Sequence, residues 1–288
     1  MKHAYLILTN GNWRLLNLLL EVLDSQENTF FIFVDQKTKV SLNDVLIYKA
    51  RYSLIREVSS VRVNWGGFSL IQATINLLKS AVPEEYDYYH FMSGSDFPIK
   101  NAKQIGAFFE KNRGYEFVNF APEDYEFAKW KCEYRHIFVD NRYYRHSKVL
   151  KVINHGFVLA QKLLGIRKKQ DRLYHGSEFF SITHSLAQYV IDNEQKIRKS
   201  YRAAIAADEV FVQTLIMHSE FNKKIFHFEQ DDGNAYYIDW NHRQGNSPKT
   251  LDLSDIADIV DLPEQYCFAR KFSDDNIEVV KRIIELTR

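Results

Sequence analysis

The chain has 288 residues and a formal net charge of +1, a balance that removes the electrostatic case for nucleic acid as a partner. With 45% hydrophobic residues and no low-complexity tract, it is not a disordered protein. Cys132 and Cys267 are its only cysteines, too few for a disulfide framework or a metal cluster, and they fit a reducing compartment.

Residues 4–8 form an apolar run closed by Thr9, Asn10 and Gly11. This predicts a buried strand and is too short for a signal-peptide core or a membrane span. Leucine-rich residues 13–23 predict a buried helix, and "TFFIFV" at 29–34 predicts a second buried strand, ended by Asp35. Strand, helix and strand with short polar turns argue for a parallel sheet. The carboxyl ends of such strands are where open α/β sheets bind ligands.

A candidate strand at 59–63 leads into the turn "NWGGFS". Its paired glycines allow positive φ or a close approach, and Trp65 offers a flat apolar face. A helix at 69–80, a strand at 86–92, the turn Ser93-Gly94-Ser95-Asp96, a helix at 103–111 and a strand at 115–120 follow. The first 120 residues thus alternate β and α, the plan of a nucleotide-binding half. Neither G-x-G-x-x-G nor G-x-x-x-x-G-K-[ST] appears, so the dinucleotide and P-loop readings lack their phosphate cradles.

Residues 122–171 become irregular, aromatic and basic, and are read as either an acceptor-binding insertion or a cover over the sheet. Within them, residues 149–166 are apolar with basic flanks at Lys148, Lys151, Arg167, Lys168 and Lys169. A core helix with a solvated basic end is the expectation; a lipid-surface helix is the alternative. "HGSEFFSIT" predicts a turn and strand, residues 185–198 a helix, and "AADEVFVQTLIMHS" a helix opened by an acidic pair. With no repeat or linker, residues 1–288 read as one domain, with a nucleotide-binding half to about 120 and an acceptor-binding and catalytic half from about 121.

Five motifs in order, "VNWGGFSLIQATINLLKSA", "YDYYHFMSGSDFPIK", "HGSEFFSIT", "ADEVFVQTL" and "SPKTLDLSDI…FARKF", resemble the core-2/I-branching β-1,6-N-acetylglucosaminyltransferases, which include the peptide O-xylosyltransferases. The likeness covers roughly residues 4–273, and Phe33 stands where His is common in the family. It implies a GT-A type, Rossmann-like fold with a central, mainly parallel sheet. The implied enzyme inverts the anomeric centre, takes a UDP-sugar donor, and needs no cofactor or metal. The sequence agrees on the last point, since it contains no Asp-x-Asp, the motif with which other GT-A enzymes hold a metal. A cation must then stabilise the leaving diphosphate.

The resemblance puts Lys249, Arg270 and especially Lys271 in that role, with Trp65, Asp35 and Asp96 also on the donor side. It makes Glu209 the base that takes the acceptor proton; in the first turn of a helix started by Ala207 or Asp208, helix-end amides would favour its ionised form. Gly176, Ser177, Asp239 and Trp240 would face the sugar and acceptor. The short, cysteine-poor chain looks like a bacterial-type member. It would act in the cytoplasm on glycan or lipid-linked glycan acceptors, with weak peripheral contact at the inner face of the membrane. The alternatives are a catalytically silent sugar-binding protein and a nucleotidyltransferase on a similar scaffold.

Overall fold

The computed structural model describes residues 1–168, 171–243, 245 and 247–287; Lys169 of the basic flank lies outside them. In chain order the first half contains β1 (His3–Thr9), α1 (Trp13–Val22), β2 (Asn28–Val34), α2 (Leu42–Val45), β3 (Leu54–Glu57), α3 (Phe68–Ala81), β4 (Tyr88–Ser93), β5 (Asp96–Pro98), α4 (Ala102–Lys111) and β6 (Phe117–Val118). The second half contains α5 (Tyr125–Glu133), α6 (Lys148–Leu163), β7 (Phe180–Thr183), α7 (His184–Asp192), α8 (Glu194–Tyr201), α9 (Phe211–Met217), β8 (Tyr236–Ile238), α10 (Ile256–Val260), β9 (Phe268–Arg270) and α11 (Ile277–Thr287).

The main sheet has the order β3-β2-β1-β4-β7-β6. Strands β3, β2, β1 and β4 are parallel neighbours, and β7 runs antiparallel to both β4 and β6. The expected α/β fold with a central, mostly parallel sheet is the one observed. The chain winds outward from β1 to β3 and returns to β4. The order therefore reverses beside β1, where the carboxyl ends of strands leave a ligand crevice. Asn12 and the turn after β4 meet there: the Asn12 side-chain amide donates to the Gly94 carbonyl at 3.1 Å and to Ser95 Oγ at 3.0 Å.

A second sheet, β5-β9-β8, packs on the first. Phe268 lies against Tyr5 and His90, and the Tyr236 hydroxyl donates to the Phe91 carbonyl. Much of the aromatic excess is buried within the two sheets: Tyr5, Tyr88, Tyr89, Tyr236, Phe97 and Phe268 are fully buried. One hydrophobic cluster includes residues of both sheets.

Four expected elements differ. The strand expected at 59–63 is β3, five to six residues earlier; it is a largely exposed edge strand and carries no apolar run. Residues 59–63 instead form a loop tied back to β2 by the Val63 amide, which donates to Asp35 Oδ1 at 3.2 Å. The strand expected at 115–120 is only Phe117–Val118. The helix expected at 185–198 breaks into α7 and α8 at Asn193. Finally, α6 is not a core helix: Val149, Val152, Leu163 and Leu164 are at least two-thirds exposed, and the buried positions are Asn154, Val158 and Gln161.

Candidate active site

The "NWGGFS" turn is built by packing. Gly66 has φ 74°, in the region that favours glycine. A side chain on Gly67 would meet Asp140 Oδ1 at 2.0 Å. That carboxylate sits at the start of α3, accepting from Ser69 Oγ at 2.6 Å and from the Ser69 amide at 3.3 Å. It caps the helix from a distant loop. Trp65 is left 57% exposed, with the Arg145 guanidinium 5.5 Å from its ring. The Gly66 carbonyl accepts from the Ala206 amide at 2.7 Å, which brings the turn within three residues of Glu209. Asp35 is buried, and its Oδ1 accepts from the Lys37 and Val63 amides, so one of its oxygens fixes the loop that carries this turn.

Glu209 ends a 3-10 turn, Ala207–Glu209, and α9 begins only at Phe211. The expectation that amides of its own helix hold it ionised is therefore corrected. Burial pushes the Glu209 carboxyl up, but His175 and Lys131 outweigh it and hold it below the usual carboxylate range. Both contacts fall on Oε2: His175 Nε2 at 3.2 Å, and Lys131 Nζ in a close ion pair. Lys131 also approaches His175 Nε2 at 3.0 Å. Lys131 is buried, whereas the Glu209 side chain is 38% exposed. The carboxylate thus faces solvent from an anchored side.

Gly176 makes this anchoring possible. Its amide donates to the Glu209 carbonyl at 2.9 Å, and a Cβ there would lie 1.9 Å from the Asn119 carbonyl oxygen. The Ser177 amide donates to Asn119 Oδ1 at 3.0 Å, and Gln213 Nε2 to the Ser177 carbonyl at 2.7 Å. The Gly-Ser turn is therefore a tight joint between the end of β6 and the start of α9.

The next residue, Glu178, was not singled out in the sequence. Burial pushes its carboxyl up to about 7, although Arg270 pulls it down. The Arg270 guanidinium lies 3.8 Å from Glu178 and 3.7 Å from Asp96, and stacks 4.0 Å over Phe179. Asp96 is fully buried and pairs with Arg270 across β5 and β9. Its carboxylate accepts from the Ser93 amide at 2.7 Å and from Ser93 Oγ at 2.9 Å. It reaches the site through Arg270, and burial raises its pKa. Asp208 is also buried and raised, by burial first and then by Glu178 and Glu209. No residue pattern announces Lys131 or Glu178. The only cue for Glu178 is that it follows the singled-out Gly-Ser pair.

Lys249, Lys271 and Asp239 converge on the edge of the second sheet. The Lys271 amide donates to the Lys249 carbonyl at 3.4 Å and the Lys249 amide to the Asp239 carbonyl at 2.9 Å. The two lysines are not equivalent. Lys249 Nζ is 2.5 Å from Asp255 Oδ1, whereas Lys271 has no carboxylate partner among the described residues. Asp239 Oδ2 is 2.9 Å from His242 Nδ1, and Trp240 stands 53% exposed beside it. Among the described residues, no group of three His, Cys, Asp or Glu side chains is arranged to hold a metal ion.

The Gly176–Glu178 segment links the anchored Glu209 carboxylate to the Arg270 guanidinium, with Lys271 next in the chain, a set of groups suited to group transfer. The model of the core-2/I-branching enzyme family matches residues 3–262, and the chain belongs to that family of glycosyltransferases. It is 22% identical to xylosyltransferase 2 of Rattus norvegicus over 308 residues, covering 98% of this chain and 33% of the relative. It is 23% identical to the xylosyltransferase of Ciona intestinalis over 303 residues, with 97% and 33% covered. The chain thus spans about a third of the length of the curated relatives it matches. Superposition on apo mouse xyloside xylosyltransferase 1 gives a TM-score of 0.42 at 9% identity, covering 84% of this chain and 90% of that one; so distant a likeness assigns nothing further.

Proposed function

We propose that this protein is an inverting, metal-independent glycosyltransferase that moves a sugar, GlcNAc or xylose, from a UDP-sugar to a hydroxyl of a glycan acceptor. The observation that carries the reading is Glu209, a part-exposed carboxylate kept ionised by Lys131 and His175 and joined through the Gly176–Glu178 segment to Arg270, whose chain neighbour is Lys271. Glu209 takes the acceptor proton as the acceptor oxygen bonds to C1. The C1–oxygen bond to UDP breaks on the opposite face, and UDP leaves with the electron pair. Lys271 offsets the charge that develops on the diphosphate, with Arg270 behind it. Lys249 would join only by exchanging Asp255 for a phosphate. Trp65 and Asp35 serve the nucleotide, while Gly176, Ser177, Asp239 and Trp240 shape the acceptor side.

A second reading of the base is favoured by one observation. Glu178, with its pKa near 7, matches the value a general base needs at neutral pH. We place it instead as the partner that orients Arg270, because it is the more buried of the two. The acceptor is read as a surface-glycan or lipid-linked precursor, handled in the cytoplasm with peripheral contact at the membrane. The test is incubation with a panel of UDP-sugars in excess EDTA, with and without Mn²⁺, measuring UDP release. Release in EDTA supports the cationic clamp. Activity only with Mn²⁺ contradicts it, and UDP binding without release from any donor contradicts catalysis.

A further inference from the structure

Helix α6 is inside out for a soluble protein. On an ordinary surface helix the apolar stripe faces the core. Here the polar stripe does. Asn154 Oδ1 accepts from the Ile137 amide at 2.8 Å, and Asn154 Nδ2 donates to the Tyr144 hydroxyl at 3.1 Å. Gln161 Oε1 accepts from the Arg135 amide at 3.0 Å, and its Nε2 donates to the Arg135 carbonyl at 2.8 Å. The helix is stitched to the body through the backbone of 135–137. The opposite side presents Val149, Val152, Ile153, Leu159, Leu163 and Leu164, which are between 47% and 80% exposed. These positions fall within one half of the helical circumference at 100° per residue. Such a continuous exposed apolar face marks an interaction surface.

Charge identifies what covers it. Lys148, Lys151 and Lys162 border the apolar stripe on one side, and Arg167 and Lys168 follow its end. From Asn141 to Lys168 there is no Asp or Glu, in a chain whose formal net charge is only +1. An open cleft of about 580 Å³ lies at the C-terminal end of α6, lined by Arg135, Lys168, Arg198, Lys199 and Arg202, with Gln195 and Ala203. A second copy of this face would set lysine against lysine, because a two-fold contact is self-complementary. A bilayer rich in anionic lipid answers both features, with acyl chains for the aliphatic side chains and headgroup phosphates for the basic rim. We propose that α6 lies in the surface of an anionic membrane, with the basic cleft beside it taking lipid phosphates. The loop before α6 carries Asp140 and Arg145 to the Gly-Gly turn and to Trp65, so the membrane face adjoins the candidate active site.

The test uses flotation of the full chain with phosphatidylcholine vesicles and with vesicles of equal parts phosphatidylcholine and phosphatidylglycerol. The wild type should float with the anionic vesicles, and several-fold less so when salt shortens the screening length to about 3 Å. Val152→Asp with Leu163→Asp should lower that partitioning at least about 100-fold, since two buried aliphatic contacts become two charges, with an unchanged melting temperature. The wild type failing to float with anionic vesicles overturns the proposal. So does a double variant that floats as well as the wild type. A wild type that dimerises through this face and ignores vesicles, as sedimentation velocity would show, overturns it as well. Flotation is read without turnover, so its failure leaves the transfer reading standing.

Discussion

Glu209 is defined by what holds it. A carboxylate this close to a buried lysine has its charge fixed by the protein, and the same contact weakens it as a base. Lys131→Met keeps the length of the side chain and removes the cation. Glu209 should then titrate higher, because the cation that favours its ionised form is gone. Because the base must be ionised to act, the acid limb of the kcat profile should move to higher pH by the same amount. A pH–rate series reads this directly, and an unmoved limb would mean that Lys131 does not act through Glu209. At the other end of the site, Lys271→Ala should weaken UDP binding by roughly 10–100-fold, the worth of a charge-assisted hydrogen bond. Lys249→Ala should instead lower the melting temperature, because it strands the Asp255 carboxylate, with a smaller change in UDP affinity. Calorimetry with UDP separates the two, and equal losses of affinity would place both lysines on the diphosphate. Glu209, Lys249 and Lys271 were singled out because they stand inside quoted motifs. Lys131 and Glu178 were not. Lys131 sits in an aromatic, basic stretch where one lysine looks like any other, and only the fold turns it inward to meet a residue 78 positions away.

At the scale of elements, two glycines act as joints, and they should not fail alike. At Gly176 the obstacle to a methyl group is the Asn119 backbone; at Gly67 it is the Asp140 side chain. A side chain can swing aside and a strand end cannot. Gly176→Ala should therefore cost about 1–3 kcal/mol, the usual range for overpacking, and Gly67→Ala less. Thermal melting of both variants checks the order, and a larger loss at Gly67 would show that the Asp140 cap is the stiffer part. The long, strongly patterned elements were readable: β1, β2, β4, α1 and α3 match their predicted spans closely because period and burial agree. The misses have separate causes. Edge strand β3 has no buried face to impose a pattern. Strands β5, β8 and β9 have three residues each, too few for a periodic signal. Helix α6 showed a correct period but a wrong polarity, since periodicity tells which residues share a face and not which face meets the core.

For the molecule as a whole, the missed second sheet matters most. It carries Arg270 on β9 and leads into Asp239 from β8, and it sets Arg270 against Glu178, beside the Gly-Ser turn that precedes β7. From the sequence, a nucleotide-binding half is expected to about residue 120, with Lys249, Arg270 and Lys271 joining the donor side from the end of the chain. In the structure the cationic groups come from the last 40 residues, and the Trp65 turn is tied to the loop that carries Glu209. The central claim is that this assembly transfers a sugar with Glu209 as its base. It is tested most directly by comparing Glu209→Gln with the wild type, with EDTA present and on a donor that the wild type turns over. Turnover by UDP release and UDP affinity by calorimetry are measured on the same preparations. The account predicts a fall in kcat of about 10²–10⁴-fold, the contribution of general-base assistance, with UDP affinity nearly unchanged. Near-normal turnover in Glu209→Gln, with UDP still bound, would contradict it and move the base to Glu178.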